Sequence, residues 1–224
     1  MSSCYIAILA YNEESTIESL IFDIAKYIHP EHILIVDDGS VDATAERARK
    51  SKCTVLSHPC NLGKGDAIRS AIRFGVAHKY RWMIMMDADL QHPPSSLPAF
   101  FHAIESDVSD VIIANRTDRQ RCMPAHRQLS NGITSIMVSL VSGARIRDSQ
   151  CGYRALRLDA LKAMNFCERG FQVESEMLIK LGKTGSRFAE IPIRTVYTNK
   201  GSAIHPVRDT LLFAKLIFKS LTWQ

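Results

Sequence analysis

The chain has 224 residues, 46% of them apolar, and a formal net charge of +5. That length and apolar content suit one sizeable α/β domain with a core of its own and argue against intrinsic disorder. No run of 18 apolar residues is present to span a bilayer, the N-terminus lacks the pattern of a signal peptide, and six cysteines without C-x-x-C spacing read as reduced thiols of a cytosolic protein.

In chain order, apolar runs predict strands over Tyr5–Ala10, Ile33–Val36, Thr54–Leu56, Trp82–Met86 and Asp110–Ala114. They are apolar throughout rather than alternating, as expected of strands buried on both faces. Helical patterns fall between them at Ser15–Tyr27, Asp42–Ser51, Asp66–His78 and Ser95–Ser106. The alternation predicts a mostly parallel sheet flanked by helices, with ligands bound beyond the carboxyl ends of the strands. Further on, Leu129–Ser142 and Phe171–Lys183 read as helices and Ile191–Tyr197 as an edge strand, on account of Pro192. Residues 1–204 form the expected catalytic domain. Residues 205–224, with Pro206 near a helix start and leucine, isoleucine and phenylalanine among Arg208, Lys215 and Lys219, form an expected amphipathic helix.

Polar clusters close these strands. Asp87 and Asp89, in Met86-Asp-Ala-Asp-Leu-Gln91, offer hard oxygens to Mg2+ or Mn2+, with phosphate oxygens and water completing the shell. The same residues also suit a capped turn leading into Pro93-Pro94. Within Asp37-Asp-Gly-Ser-Val-Asp42, a turn and an N-cap by Ser40 or Asp42 account for the small residues. Two consecutive acids after a buried strand remain, and a ribose or base could bond to them. Asn61-Leu-Gly-Lys-Gly65 has neither P-loop nor G-x-G-x-x-G spacing, so it reads as a tight turn before a helix with Lys64 near phosphate.

In this order the motifs resemble the nucleotide-sugar glycosyltransferases of family 2. The resemblance rests on Ala10-Tyr-Asn-Glu-Glu, Val36-Asp-Asp-Gly-Ser, Asn61-Leu-Gly-Lys-Gly, Asp87-Ala-Asp-Leu-Gln, Asp148-Ser-Gln-Cys-Gly-Tyr-Arg, Phe171-Gln-Val-Glu and Arg194-Thr-Val-Tyr through Lys200. Within that family the chain is most similar to dolichyl- and polyprenyl-phosphate mannosyl- and glucosyltransferases. The resemblance implies a Rossmann-like GT-A fold and inverting transfer of a hexose from a GDP-mannose or UDP-glucose type donor to a lipid phosphate. Family 2 transferases with a sugar hydroxyl acceptor are the alternative. Carried over by position, Tyr11, Glu13, Val36 and Asp38 would hold the nucleoside. Asp87, Ala88, Asp89 and Gln91 would form the metal and diphosphate site, with Asp89 the chief catalytic residue. Arg116, Arg194 and Lys200 would meet the donor phosphates, and Arg127, with Ser130 or Asn131, the lipid phosphate. A phosphate acceptor is already nucleophilic near neutrality. A hydroxyl would need a carboxylate base, for which Asp148 and Glu174 are the candidates.

Charge location adds an expectation about partners. Asn115–Arg157 carries eight arginines and two aspartates, a balance of +6 without lysine or glutamate. Forked arginines suit phosphates, so the segment is expected to bring two phosphorylated substrates together. No aromatic-rich RNA motif accompanies it, and no nucleic acid partner is expected. A lipid acceptor implies peripheral attachment at the cytoplasmic face of a membrane, through the last helix, a membrane partner subunit or a homo-oligomer.

Overall fold

The computed structural model describes residues 3–116, 125–194 and 206–223, and for 125–127 and 206–207 the backbone alone. Seven strands form one sheet: β1 Cys4–Ala10, β2 Ile33–Asp37, β3 Thr54–Ser57, β4 Trp82–Asp87, β5 Val111–Arg116, β6 Arg154–Arg157 and β7 Phe188–Ile193. Around it lie α1 Ile17–Ile24, α2 Thr44–Arg49, α3 Lys64–Ala77, α4 Leu97–Glu105, α5 Ala125–Ser142, α6 Leu158–Leu161, α7 Gln172–Lys183 and α8 Pro206–Ser220. The strand order is β3-β2-β1-β4-β6-β5-β7. β6 runs antiparallel to both neighbours and the other pairings are parallel.

The continuous apolar runs are explained by two cores. Side chains alternate across a strand, so Tyr5, Ala7 and Leu9 of β1 join Met83, Met85, Ala71 and Leu178 on one face. Cys4, Ile6, Ile8 and Ala10 join Ile21, Ile35, Ile84 and Phe100 on the other. β3 departs from the expectation of burial on both faces: it is the sheet edge, and Thr54, Leu56 and Ser57 are exposed. The expected strand at Ile191 begins three residues earlier, at Phe188, while 195–197 lie outside the described residues. Pro192 is tolerated because β7 is the opposite edge.

β6 and α6 had no apolar pattern to announce them: Arg-Ala-Leu-Arg is short and half charged. β6 nonetheless fixes the site, because its reversed direction brings the start of the strand to the carboxyl ends of β4 and β5. α8 packs on α5 and α7, burying Leu216, Ile217 and Ser220 while Leu211 and Phe218 stay exposed. Lys183 donates to the Trp223 carbonyl at 2.6 Å, and the Lys180 ammonium lies 4.7 Å from the Trp223 ring centre. Among the described residues no helix is long and apolar enough to cross a membrane.

Candidate active site

The loops after β1 and β2 are laced together. Asn12, in a left-handed conformation with φ 55°, donates its amide to Ser40 Oγ at 2.9 Å and accepts the Val41 amide at 3.0 Å. The Glu13 amide donates to Thr44 Oγ1, and Glu14 accepts the Ala43 amide. Asp42 caps α2 through the Thr44 amide at 3.0 Å. Glu13, whose carboxylate accepts the Thr16 hydroxyl at 2.7 Å, thus stands at a fixed place beside half-exposed Tyr11.

Asp38 has a defined local job. Its carboxylate accepts the Leu62 and Gly63 amides at 3.1 and 2.8 Å, and His58 Nδ1 lies 2.7 Å away. It therefore organises the glycine turn, with its oxygens engaged inside the protein rather than open to a ribose. Val36 is fully enclosed between strands, so its side chain offers no surface to a nucleoside. Gly63, at φ 97°, and Gly65 permit a close approach to the backbone of Glu168 and Arg169, and the Gly65 amide donates to the Arg169 carbonyl at 2.8 Å. The two glycines join the turn to the chain that leads into α7.

That turn aims Lys64, the first residue of α3, across the end of β4. Its ammonium lies 2.8 Å from Asp87 Oδ1 and 3.1 Å from Glu174 Oε1. Lys64, expected near phosphate, is instead clasped by two acids. Burial opposes its charge, but Asp87 and Glu174 outweigh that and raise its pKa. Burial likewise opposes ionisation of Asp87, yet Lys64 holds that carboxyl below the ordinary range. Gly152 backs the pair: a Cβ there would stand 2.6 Å from Asp87 Oδ2 and 3.2 Å from Glu174 Oε1. Asp89 is in a different state. Its carboxylate accepts the Gln91 amide at 3.0 Å, and burial together with the like charges of Asp87 and Glu13 pushes its pKa up to about 6. Ala88 between the two acids is buried.

On the far wall, Arg116 at the end of β5 grips fully buried Asp148 with two prongs of 2.7 and 2.9 Å. Asp148 is thereby an anchor for Arg116, and the role of free base expected of it is not open to it. Arg154, assigned no role from the sequence, is fully buried and donates to the carbonyls of Cys151, Glu174 and Ser149 at 2.7, 3.2 and 2.8 Å. The signal for it was an arginine at the end of an otherwise small-residue motif. Burial, reinforced by Arg116, Lys64 and Arg154 and opposed by Asp87, lowers the pKa of His92 to about 4, so this ring is neutral. Arg194 is exposed just past the residue paired with Arg116. Arg127 and Lys200 lie outside the residues whose side chains are described.

Asp87, Asp89, Glu174 and Lys64 are therefore brought together, with the Arg116–Asp148 pair at the neighbouring strand ends. The arginine-rich segment is not. Arg157 pairs with Asp107 and Asp110 at the opposite pole of the sheet, Arg147 with Glu190, and Arg154 with backbone carbonyls. The expected gathering of arginines for two phosphorylated substrates is corrected accordingly: adjacency in sequence is dispersed because β5 and β6 cross the sheet between them. The acids left in the cleft outnumber its bases, and the raised pKa of Asp89 marks a place short of one cation. Among the described residues no three His, Cys, Asp or Glu side chains converge on one point. That donor set suits a hard divalent ion that takes one or two carboxylates and fills its shell with phosphate and water.

The Glycosyl transferase family 2 model matches residues 5–164. The chain is 26% identical to an undecaprenyl-phosphate mannosyltransferase of Micrococcus luteus, over 86% of this chain and 83% of that protein. It is 28% identical to a UDP-N-acetylglucosamine–dolichyl-phosphate N-acetylglucosaminyltransferase of Methanococcus voltae, over 89% of this chain and 88% of that one. The fold resembles glucosyl-3-phosphoglycerate synthase from Mycobacterium tuberculosis, solved with Mn2+, UDP and glucosyl-3-phosphoglycerate. The TM-score is 0.75 at 19% identity, over 98% of this chain and 78% of that one.

Proposed function

The chain belongs to glycosyl transferase family 2 and is a glycosyltransferase of GT-A fold, and on that premise we propose that it transfers a hexose, with inversion, from a nucleoside-diphosphate sugar to a polyprenyl or dolichyl phosphate. The observation that carries this reading is the pairing of the cleft's acids. Glu174 and Asp87 share the Lys64 ammonium, and Asp148 is held by Arg116. Neither acid expected as a base stands ready to take a proton from a sugar hydroxyl. A phosphate monoester needs no such base, because its second pKa is about 6. The names of the relatives support a lipid-phosphate acceptor, and they carry different sugars.

In this reading the nucleoside lies by the loops after β1 and β2, with Tyr11 and Glu13 at its rim. Asp89, with Asp87 and Gln91 beside it, would hold Mg2+ or Mn2+, whose chemistry when bound is to stabilise charge on a departing diphosphate. Lys64 keeps Asp87 ionised and in place. Arg116, held rigid by Asp148, and Arg194 present fixed donors toward the phosphates. The neutral ring of His92 adds no charge behind the acids. Attachment is peripheral, at the cytoplasmic face of a membrane.

Sugar-labelled donors supplied with a polyprenyl phosphate test the reading. Label should enter the organic-extractable fraction, and label found only in aqueous product would overturn it. A thermal-shift panel of GDP-mannose, UDP-glucose and UDP-N-acetylglucosamine with either metal identifies the donor, since a specific ligand stabilises by mass action.

A further inference from the structure

α5 has one face the fold does not use. Leu129, Ile133, Ile136 and Leu140 are 67%, 51%, 62% and 77% exposed. Their spacing places all four within about 60° of the helix circumference, an unbroken apolar stripe along three turns. The opposite face is firmly mounted: Val138 is fully buried, Ser135 Oγ accepts the Ser149 amide at 3.0 Å, and Gly182 of α7 packs against Ser142. Folding therefore does not need the stripe. α8, which touches α5, adds exposed Leu211 and Phe218, with Leu221 just beyond its end.

Charge selects the occupant. No acid occurs between Gln128 and Arg147. α8 has one, Asp209, which receives the Gln172 amide at 3.2 Å. Arg145, Arg208, Lys215 and Lys219 are all exposed around these helices. A second copy of the chain would bring the same positive charge to the contact. A bilayer with anionic headgroups satisfies both features, taking the apolar side chains below the headgroups and the cations at them.

We propose that α5, flanked by α8, is the docking face for an anionic lipid bilayer. Its purpose rests on the lipid-phosphate reading above, though its evidence does not. The arrangement also joins membrane to cleft: Ser135, on the inner side of the docking helix, holds Ser149, the neighbour of Asp148. The helix that meets lipid thus braces the wall on which Arg116 is anchored.

Vesicle flotation of the full chain tests this, using phosphatidylcholine with and without phosphatidylglycerol. Wild type should float with the anionic vesicles, and less with neutral ones or at high salt. The Ile133→Ser/Ile136→Ser variant should lose roughly tenfold or more in partitioning, with its thermal transition and nucleotide-induced shift retained. Leu129→Ser/Leu140→Ser is the second variant should the first not fold. Flotation of both variants at the wild-type level would overturn the proposal, and so would a wild type that ignores vesicles. A wild-type dimer in light scattering that these changes dissociate, without vesicle binding, would assign the face to self-association instead. Transfer to a short-chain polyprenyl phosphate dispersed in detergent should survive in the variants. Its absence in wild type would sink the functional reading while leaving the docking result intact.

Discussion

Asp89 carries an electrostatic cost that the folded chain bears without return until a cation arrives. Its pKa is pushed up to about 6 from an ordinary 3.8, first by burial and then by Asp87. A carboxyl raised in the folded state destabilises the fold above that pKa and costs nothing below the unfolded value, where both states are protonated. Asp89→Asn should therefore raise the stability of the metal-free protein at neutral pH, by on the order of 2 kcal/mol. The gain should fade as pH drops from about 6 toward 4, and melting curves in chelator across that range check it. Turnover of the same variant should fall by about a hundredfold or more. Lys64→Met acts in the opposite direction. It leaves Asp87 and Glu174 without their shared counter-ion, at a cost of about 3 kcal/mol in denaturant titrations at neutral pH. Gly152→Ala would push a methyl into Asp87 and Glu174. Its expected signature is a loss of roughly tenfold or more in kcat/KM in a protein that still folds. The two acids of the Asp87-Ala-Asp89 motif were legible in the sequence because carboxylates directly after a buried run must lie at a strand end. The clasp of Lys64 was not, because it depends on where the first turn of α3 docks against β4 and α7.

At the scale of elements, legibility followed hydrophobic period. The first four strands and helices α1 to α4 were visible because each repeats a pattern long enough to read. β6 was invisible: four residues with two arginines carry no period, and Arg154 is buried only because three carbonyls converge on it. The arginine segment misled for the same reason, since its members sit on elements that diverge. Helix contacts give a further test. Gly182 lets α7 approach α5 so closely that a Cβ would meet Ser142 Cβ at 2.6 Å. Gly182→Ala should cost about 1 to 3 kcal/mol, measured by urea unfolding. It should also loosen α5, and with it the Ser135–Ser149 contact behind Asp148.

Over the whole molecule, the two ends of the sheet divide the work. The acids and Lys64 lie at the carboxyl ends of the parallel strands. At the other end, Arg81, Arg157 and Arg187 bind Asp107 and Asp110 in one network. Hydrogen bonds from Arg187 are the largest influence on the Asp110 carboxyl and lower its pKa. Its contribution to stability is accordingly present above the ordinary carboxylate pKa and lost as pH falls toward the lowered one. Asp110→Asn should cost about 1 kcal/mol in thermal unfolding at pH 7 and leave kcat and KM unchanged. A change in kcat would mean the two ends are coupled.

The reversal of β6 has a consequence for how such a protein can diversify. Every parallel strand sends its outgoing loop to the cleft, whereas β6 sends its incoming one. Residues 148–153 can therefore be lengthened or rewritten upstream of a strand whose downstream connection, through α6, lies at the distant end. The donor half, built on β1, β2 and β4, would keep its register throughout. A single backward strand gives the lineage a place to respecify the acceptor while the nucleotide grip is inherited unchanged.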